Sequence, residues 1–171
     1  MKKLKLSIFV LALLLVMGHS AFALVCAPSR NGSDSADQCW SSVTVASNET
    51  TLVSIGTVLN YDITNAQFNE KNGSFQVRVV DASADGVIVA GVAQQSIVSG
   101  ATALVLVRGR GDLATKNSST IASGTAVWVS TSGDASEVSS TTQTQLGFAL
   151  ESQAAVAAHG RSTKKAYITI V

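Results

Sequence analysis

Few side chains in this sequence have the types and spacing that chemistry needs. Beyond the first 23 residues there is one histidine, His159, in Ala157-Ala158-His159-Gly160-Arg161. Acid–base or nucleophilic catalysis requires neighbours that tune such a group. A lone imidazole in this setting reads as a solvated loop residue. Serines abound, but no Gly-x-Ser-x-Gly turn presents one as a nucleophile. Neither a phosphate-cradling glycine loop ending in Lys-Ser/Thr nor a His-Glu-x-x-His helix occurs. Asp81, Asp85, Asp112 and Asp134 sit beside turn residues, where a carboxylate caps the turn, and the Asp-x-Asp-x-Asp spacing of a calcium loop is missing. The expectation is a non-enzyme with no catalytic residue, no cofactor and no metal.

Three other motifs remain. Cys26 and Cys39 flank a polar stretch, Ala27 to Gln38, that holds the only proline, Pro28. An even pair in an oxidising compartment forms one bridge, worth about 3 kcal/mol for a loop of this size in the chain-entropy account. Two thiols without a nearby histidine make a poor zinc site, whereas pairing between subunits stays open. Arg110-Gly111-Asp112 spells the tripeptide read by cell-adhesion receptors, and a loop between strands would expose it; Gly-Asp also suits a hairpin turn for backbone reasons. Asn31, Asn48, Asn72 and Asn117 each begin an Asn-x-Ser/Thr triplet, which a Ser/Thr/Asn-rich chain produces by composition alone.

The elements that must carry these residues follow an address. Lys2, Lys3 and Lys5 precede an apolar run from Leu6 to Met17, and Ala21-Phe22-Ala23 closes it with small residues, the layout of a secretory signal peptide cut after Ala23. As a retained anchor the run is short, about 18 Å of helix against a ~30 Å hydrocarbon core. Val25 directly before Cys26 argues against lipidation. The remaining 148 residues (171 − 23) carry 9 basic and 11 acidic side chains, too balanced to attract a polyanion, so no nucleic-acid partner is expected. No second apolar segment of spanning length follows, so no stable membrane insertion is expected once the leader is removed.

Past Trp40 the apolar residues alternate and are β-branched. Strands are expected at Thr51–Leu59, Phe75–Val80, Val87–Ala90, Ala103–Arg108, Ala126–Ser130, Leu146–Leu150 and Lys165–Val171. Turn clusters separate them at Asn72-Gly73, Asp85-Gly86, Ser99-Gly100, Gly109 to Asp112, Ser123-Gly124 and Ser132 to Asp134. The fold class is all-β, a small barrel or sandwich of about seven to nine short strands. Glu151 to His159 is the single helix-like stretch, and reads equally as a loop over a barrel end. An outer-membrane barrel would need aromatic girdles, whereas the seven aromatics after the leader are scattered. The organisation reads as residues 1–23 leader, 24–48 strand-poor arm with the cystine loop, and 49–171 one domain. Ser96-Ile97-Val98-Ser99-Gly100 returns as Thr120-Ile121-Ala122-Ser123-Gly124, and Gly91-Val92-Ala93 as Gly147-Phe148-Ala149, which suggests a module used twice.

The order Gly91-Val92-Ala93-Gln94, Ile97 to Gly100, Val105 to Gly109, Ile121 to Gly124, Val127-Trp128-Val129, Gly133, Leu146 to Leu150 and Tyr167 to Val171 resembles the capsid-cement, or head-decoration, proteins of tailed bacteriophages. The resemblance covers about residues 57–171 and does not extend to the leader. It implies a small β-barrel that binds a protein lattice as an oligomer, often a trimer, without catalysis. Charged residues make up only 13% of the chain. Such a surface suits burial of flat faces against copies of itself or a lattice. The reading is an exported structural protein that assembles into or decorates a virion or extracellular surface, with residues 24–48 as an arm reaching a neighbour. The alternative is a secreted monomeric binding or adhesion module with one exposed aromatic patch around Trp128.

Overall fold

Alternating small and β-branched residues build strands here, and turn glycines decide where the strands begin. The computed structural model describes residues 25–27, 38–47, 52–62, 75–80, 88–116, 120–130, 133–137, 144–154 and 160–170. They form ten strands: β1 (Val25–Ala27), β2 (Gln38–Val45), β3 (Val58–Tyr61), β4 (Phe75–Val79), β5 (Val89–Ala93), β6 (Thr102–Lys116), β7 (Ala126–Val129), β8 (Ala135–Ser136), β9 (Gln145–Ala149) and β10 (Arg161–Thr169). Among the described residues there is no helix, and the fold is all-β.

The strands run in the order β1-β2-β4-β3-β5-β6-β10-β9-β7-β8, with β2–β6 and β6–β8 pairings besides. Those two extra pairings close two five-stranded rings, β2-β4-β3-β5-β6 and β6-β10-β9-β7-β8. The 15-residue β6 belongs to both. Its first half pairs with β2 and β5, its second with β10 and β8. At ~3.3 Å per residue such a strand reaches about 50 Å, long enough to serve two barrels in series.

Each ring has its own apolar filling. Val43, Val45, Leu59, Val77, Ala93 and Val105 pack in the first. Leu113, Val127, Val129, Leu146, Ala166 and Ile168 pack in the second. A fully buried side chain of this kind contributes about 1.5–3 kcal/mol. Apolar residues inside and exposed Arg108, Arg110 and Thr163 outside are the reverse of a membrane-spanning barrel's pattern.

The two rings repeat one ladder pattern, with many of their hydrogen bonds in matching positions. Val53 and Ile97 exchange amide bonds (3.0 and 2.9 Å), as do Ile121 and Gln153 (2.9 and 2.7 Å). Thr57 N–H donates to Ser54 O, and Thr125 N–H to Ala122 O; Gly56 N–H donates to Ala93 O, and Gly124 N–H to Ala149 O; Tyr61 N–H donates to Ile88 O, and Val129 N–H to Thr144 O. Ladder registers match as well. Val58 faces Val92 as Ala126 faces Phe148, and the bulge after Leu59 returns after Val127. The parallel pair Val45–Val77 matches Thr115–Ala135. Thus β2 to β6 correspond to β6 to β10, with β6 counted in both.

Gly91-Val92-Ala93 and Gly147-Phe148-Ala149 are true equivalents, lying in β5 and β9. The Ile97 and Ile121 echo has a different origin. It is one turn used three times, at 53–57, 97–101 and 121–125, each with glycine third after the bridge residue and at φ 81, 75 and 85°. That φ belongs to the left-handed region, which a β-turn accepts at its third position and glycine occupies without strain.

Three expectations need correction, and a fourth is resolved in part. Residues 38–45, placed in a strand-poor arm, form β2, and its Val43 and Val45 are fully buried in the first ring; the small Ser41-Ser42 pair hid the alternation. Thr51–Leu59 is not one strand, because the turn at 54–57 divides it. Gly109 to Asp112 is not a turn: it lies within β6, held by nine consecutive pairings to β10. Of Glu151–His159, Gln153 makes a β-bridge to Ile121, and residues 155–159, His159 included, lie outside the described residues. So do the leader with its Ala23 cleavage point, Asp81, Asp85 and all four Asn-x-Ser/Thr triplets.

Candidate functional site

Cys26 and Cys39 face each other across the β1–β2 ladder and are joined as a disulfide. The bridge is therefore within the chain. It pins the edge strand β1 to β2 at the point where β2 shifts register against β6.

The adhesion tripeptide lies inside strand β6, with Arg110 exposed, Gly111 buried and Asp112 half-buried. Gly111 is packed so that a β-carbon would strike Leu106 Cδ2 and the Gln94 side-chain amide. Gln94 holds the Asp112 backbone from both sides: the Asp112 amide donates to Gln94 Oε1 (2.7 Å) and Gln94 Nε2 donates to the Asp112 carbonyl (2.9 Å). The Asp112 carboxylate pairs with Lys165 Nζ at 2.6 Å, and the Arg110 carbonyl accepts from Gln38 Nε2 at 3.0 Å. Glycine and aspartate are accounted for by packing and pairing, and no loop tip presents them.

Two buried polar groups, Asp134 and Gln153, anchor networks in the second barrel, and only the Asp134 network reaches across to the first barrel; from the sequence Asp134 reads only as a turn cap and Gln153 carries no signal. Asp134 accepts from Arg161 Nε, while Arg161 Nη2 reaches Thr57 Oγ1 and the Gly133 carbonyl, both at 3.3 Å. Burial raises the Asp134 carboxyl above its ordinary value of 3.8, against the pull of Arg161 and Lys116. Gln153 accepts from the hydroxyls of Thr115 and Ser162 and donates to the Lys116 carbonyl at 2.6 Å. Both sets are satisfied structural networks. Among the described residues no group of three or more His, Cys, Asp or Glu is placed to hold a metal.

What the surface does offer is apolar. Leu52, Ile55 and Val98 stand out from the turns of the first barrel, at 57, 43 and 60% exposure. Phe148 and Leu150 stand out from the second at 44 and 41%, beside the half-buried Trp128. Only Trp128 was singled out from sequence. For Phe148 the signal is strand parity, since it stands exposed between the buried Gly147 and Ala149; Leu52, Ile55 and Val98 lie in or beside turns, where no alternation marks them.

The family model for phage cement proteins matches residues 60–163, or 104 of 171 residues, from β3 into β10. The chain belongs to the phage cement protein family. As such it is a structural, virion-associated protein built on an all-β fold with an N-terminal cystine. Among solved structures, the head fiber gp8.5 N base of bacteriophage phi29 aligns with this phage cement protein over 77% of this chain and 94% of that chain, at 16% identity and a TM-score of 0.49. A search of the curated proteins finds no match.

Proposed function

We propose that this phage cement protein decorates a protein shell as a non-catalytic subunit, binding the lattice and copies of itself through faces of its two barrels. The observation that carries this reading is the extent of the family match, which runs from the end of β3 to the start of β10 and so takes in the shared strand β6 and parts of both rings. Low charge and exposed apolar side chains on both barrels support it, because large exposed apolar groups on a soluble protein mark contact surfaces. Co-sedimentation with purified capsids of the phage that encodes the chain tests it. A saturable, stoichiometric pellet is expected, and protein left in the supernatant at every ratio would count against it.

Residues 1–23 further act as an export signal cut after Ala23. The cystine supports this, since such bridges persist in oxidising compartments. Intact mass of the protein recovered from expressing cells should correspond to a chain starting at Leu24.

A further inference from the structure

We infer that the outer face of the second barrel is the seat of a second copy of this chain. The duplication supplies its own control. Across β3, β5 and β6, Val58 faces Val92 and Val92 faces Leu106. All three are 0% exposed, because they point out of the first ring and pack in one cluster with the core of the second. The equivalent row across β7, β9 and β10 is Ala126, Phe148 and Tyr167, in the same register. There Phe148 is 44% exposed, with Leu150 beside it.

The turns that lead into the two rows report the same contrast. A β-carbon on Gly56 would meet the Ala114 backbone of the second ring at 2.5 Å, whereas one on Gly124 meets nothing within 4 Å. One surface therefore occurs twice in the chain, once fully covered and once open at its centre, with Phe148 exposed between the half-buried Ala126 and Tyr167. Its cover, where present, is a five-stranded ring of this same protein. The open copy carries the aromatic residues Phe148 and Tyr167, a residue type that concentrates binding energy at interfaces. A contact that repeats the internal one between chains joins unlike surfaces, so it closes into a ring or runs on as a filament.

This rests on the self-association part of the reading above and names its surface. The test is light scattering and sedimentation velocity of the chain from Leu24, as wild type and as Phe148→Glu, Leu150→Lys and Leu104→Glu. Leu104 is 49% exposed on the first barrel and serves as the control. We expect a wild-type oligomer, self-association weakened about thirtyfold or more by either second-barrel change, and no change with Leu104→Glu. Thermal melting shows that each variant is folded, and Leu150→Lys carries the test if Phe148→Glu is not. An oligomer unaffected by both second-barrel variants, or weakened equally by Leu104→Glu, overturns the assignment of this face and leaves the decoration reading standing. A monomeric wild type at all concentrations overturns this inference and self-association together, while capsid binding is read separately.

Discussion

Replacing Gln153 tests the duplication most sharply, because the first barrel shows what an apolar version of its surroundings looks like. By register, Thr115, Gln153 and Ser162 occupy the places of Val45, Ile97 and Ala101. Gln153→Leu removes the acceptor shared by the Thr115 and Ser162 hydroxyls and the donor to the Lys116 carbonyl. The two hydroxyls still reach each other at 3.1 Å, so the loss is smaller than three full bonds. At roughly 1 kcal/mol per net hydrogen bond, more where a buried partner is stranded, the cost is about 2–3 kcal/mol. For a chain of this size that lowers Tm by about 5–10 °C. Thr115→Val, Gln153→Ile and Ser162→Ala together rebuild the first-barrel trio and remove both hydroxyls along with their acceptor, so that only the bond to the Lys116 carbonyl is left unreplaced. Differential scanning calorimetry of the single and triple variants decides the matter. We expect the triple to return to within about 1 kcal/mol of wild type. A triple variant no more stable than the single would refute the equivalence of the two sites.

Three further outcomes follow from the same structure. Gly147→Ala should cost more than Gly91→Ala, roughly 3 kcal/mol or above, because its β-carbon would strike the Tyr167 carbonyl of β10, whereas that of Gly91 meets the Val105 side chain; urea unfolding measures both. Asp134 holds its proton more tightly folded than unfolded, so its contribution to stability is fully present below pH 3.8 and is lost as pH rises through the raised folded value. The Tm of wild type minus that of Asp134→Asn should therefore fall as pH is raised from about 3 to 7, and a flat or rising difference would contradict the assignment. Cys26→Ala with Cys39→Ala should lower stability by up to about 3 kcal/mol, less if β1 frays independently, as chemical denaturation will show.

Period-two alternation was enough to read β4, β7, β9 and the start of β6 from the sequence, because each carries apolar β-branched or aromatic residues on one face. What alternation cannot show is ring closure. The β2–β6 and β6–β8 pairings join residues far apart in sequence, and Gly109 and Gly111 interrupt the apolar pattern of β6 where the strand passes from one barrel to the other. Those glycines looked like a turn and made a single 15-residue strand resemble a hairpin. The repeat was half visible for a related reason. The fixed points, Gly-x-Ala in β5 and β9 and the turn glycines, are constrained by backbone contact and persist in both copies. Side chains between them diverged, down to Ile97 against Gln153, so the pairing of 53 with 121 and of 97 with 153 needed hydrogen bonds to establish. The candidate surface was the least legible part, since whether Phe148 is covered depends on what lies beyond its own ring.

The central claim is that this double barrel decorates a protein shell. An electron-microscopy reconstruction of capsids saturated with the chain from Leu24, against undecorated capsids, tests it most directly. The account predicts added density at symmetry-related lattice positions, each fitted by two joined five-stranded barrels. Saturated and bare capsids with identical density would contradict it.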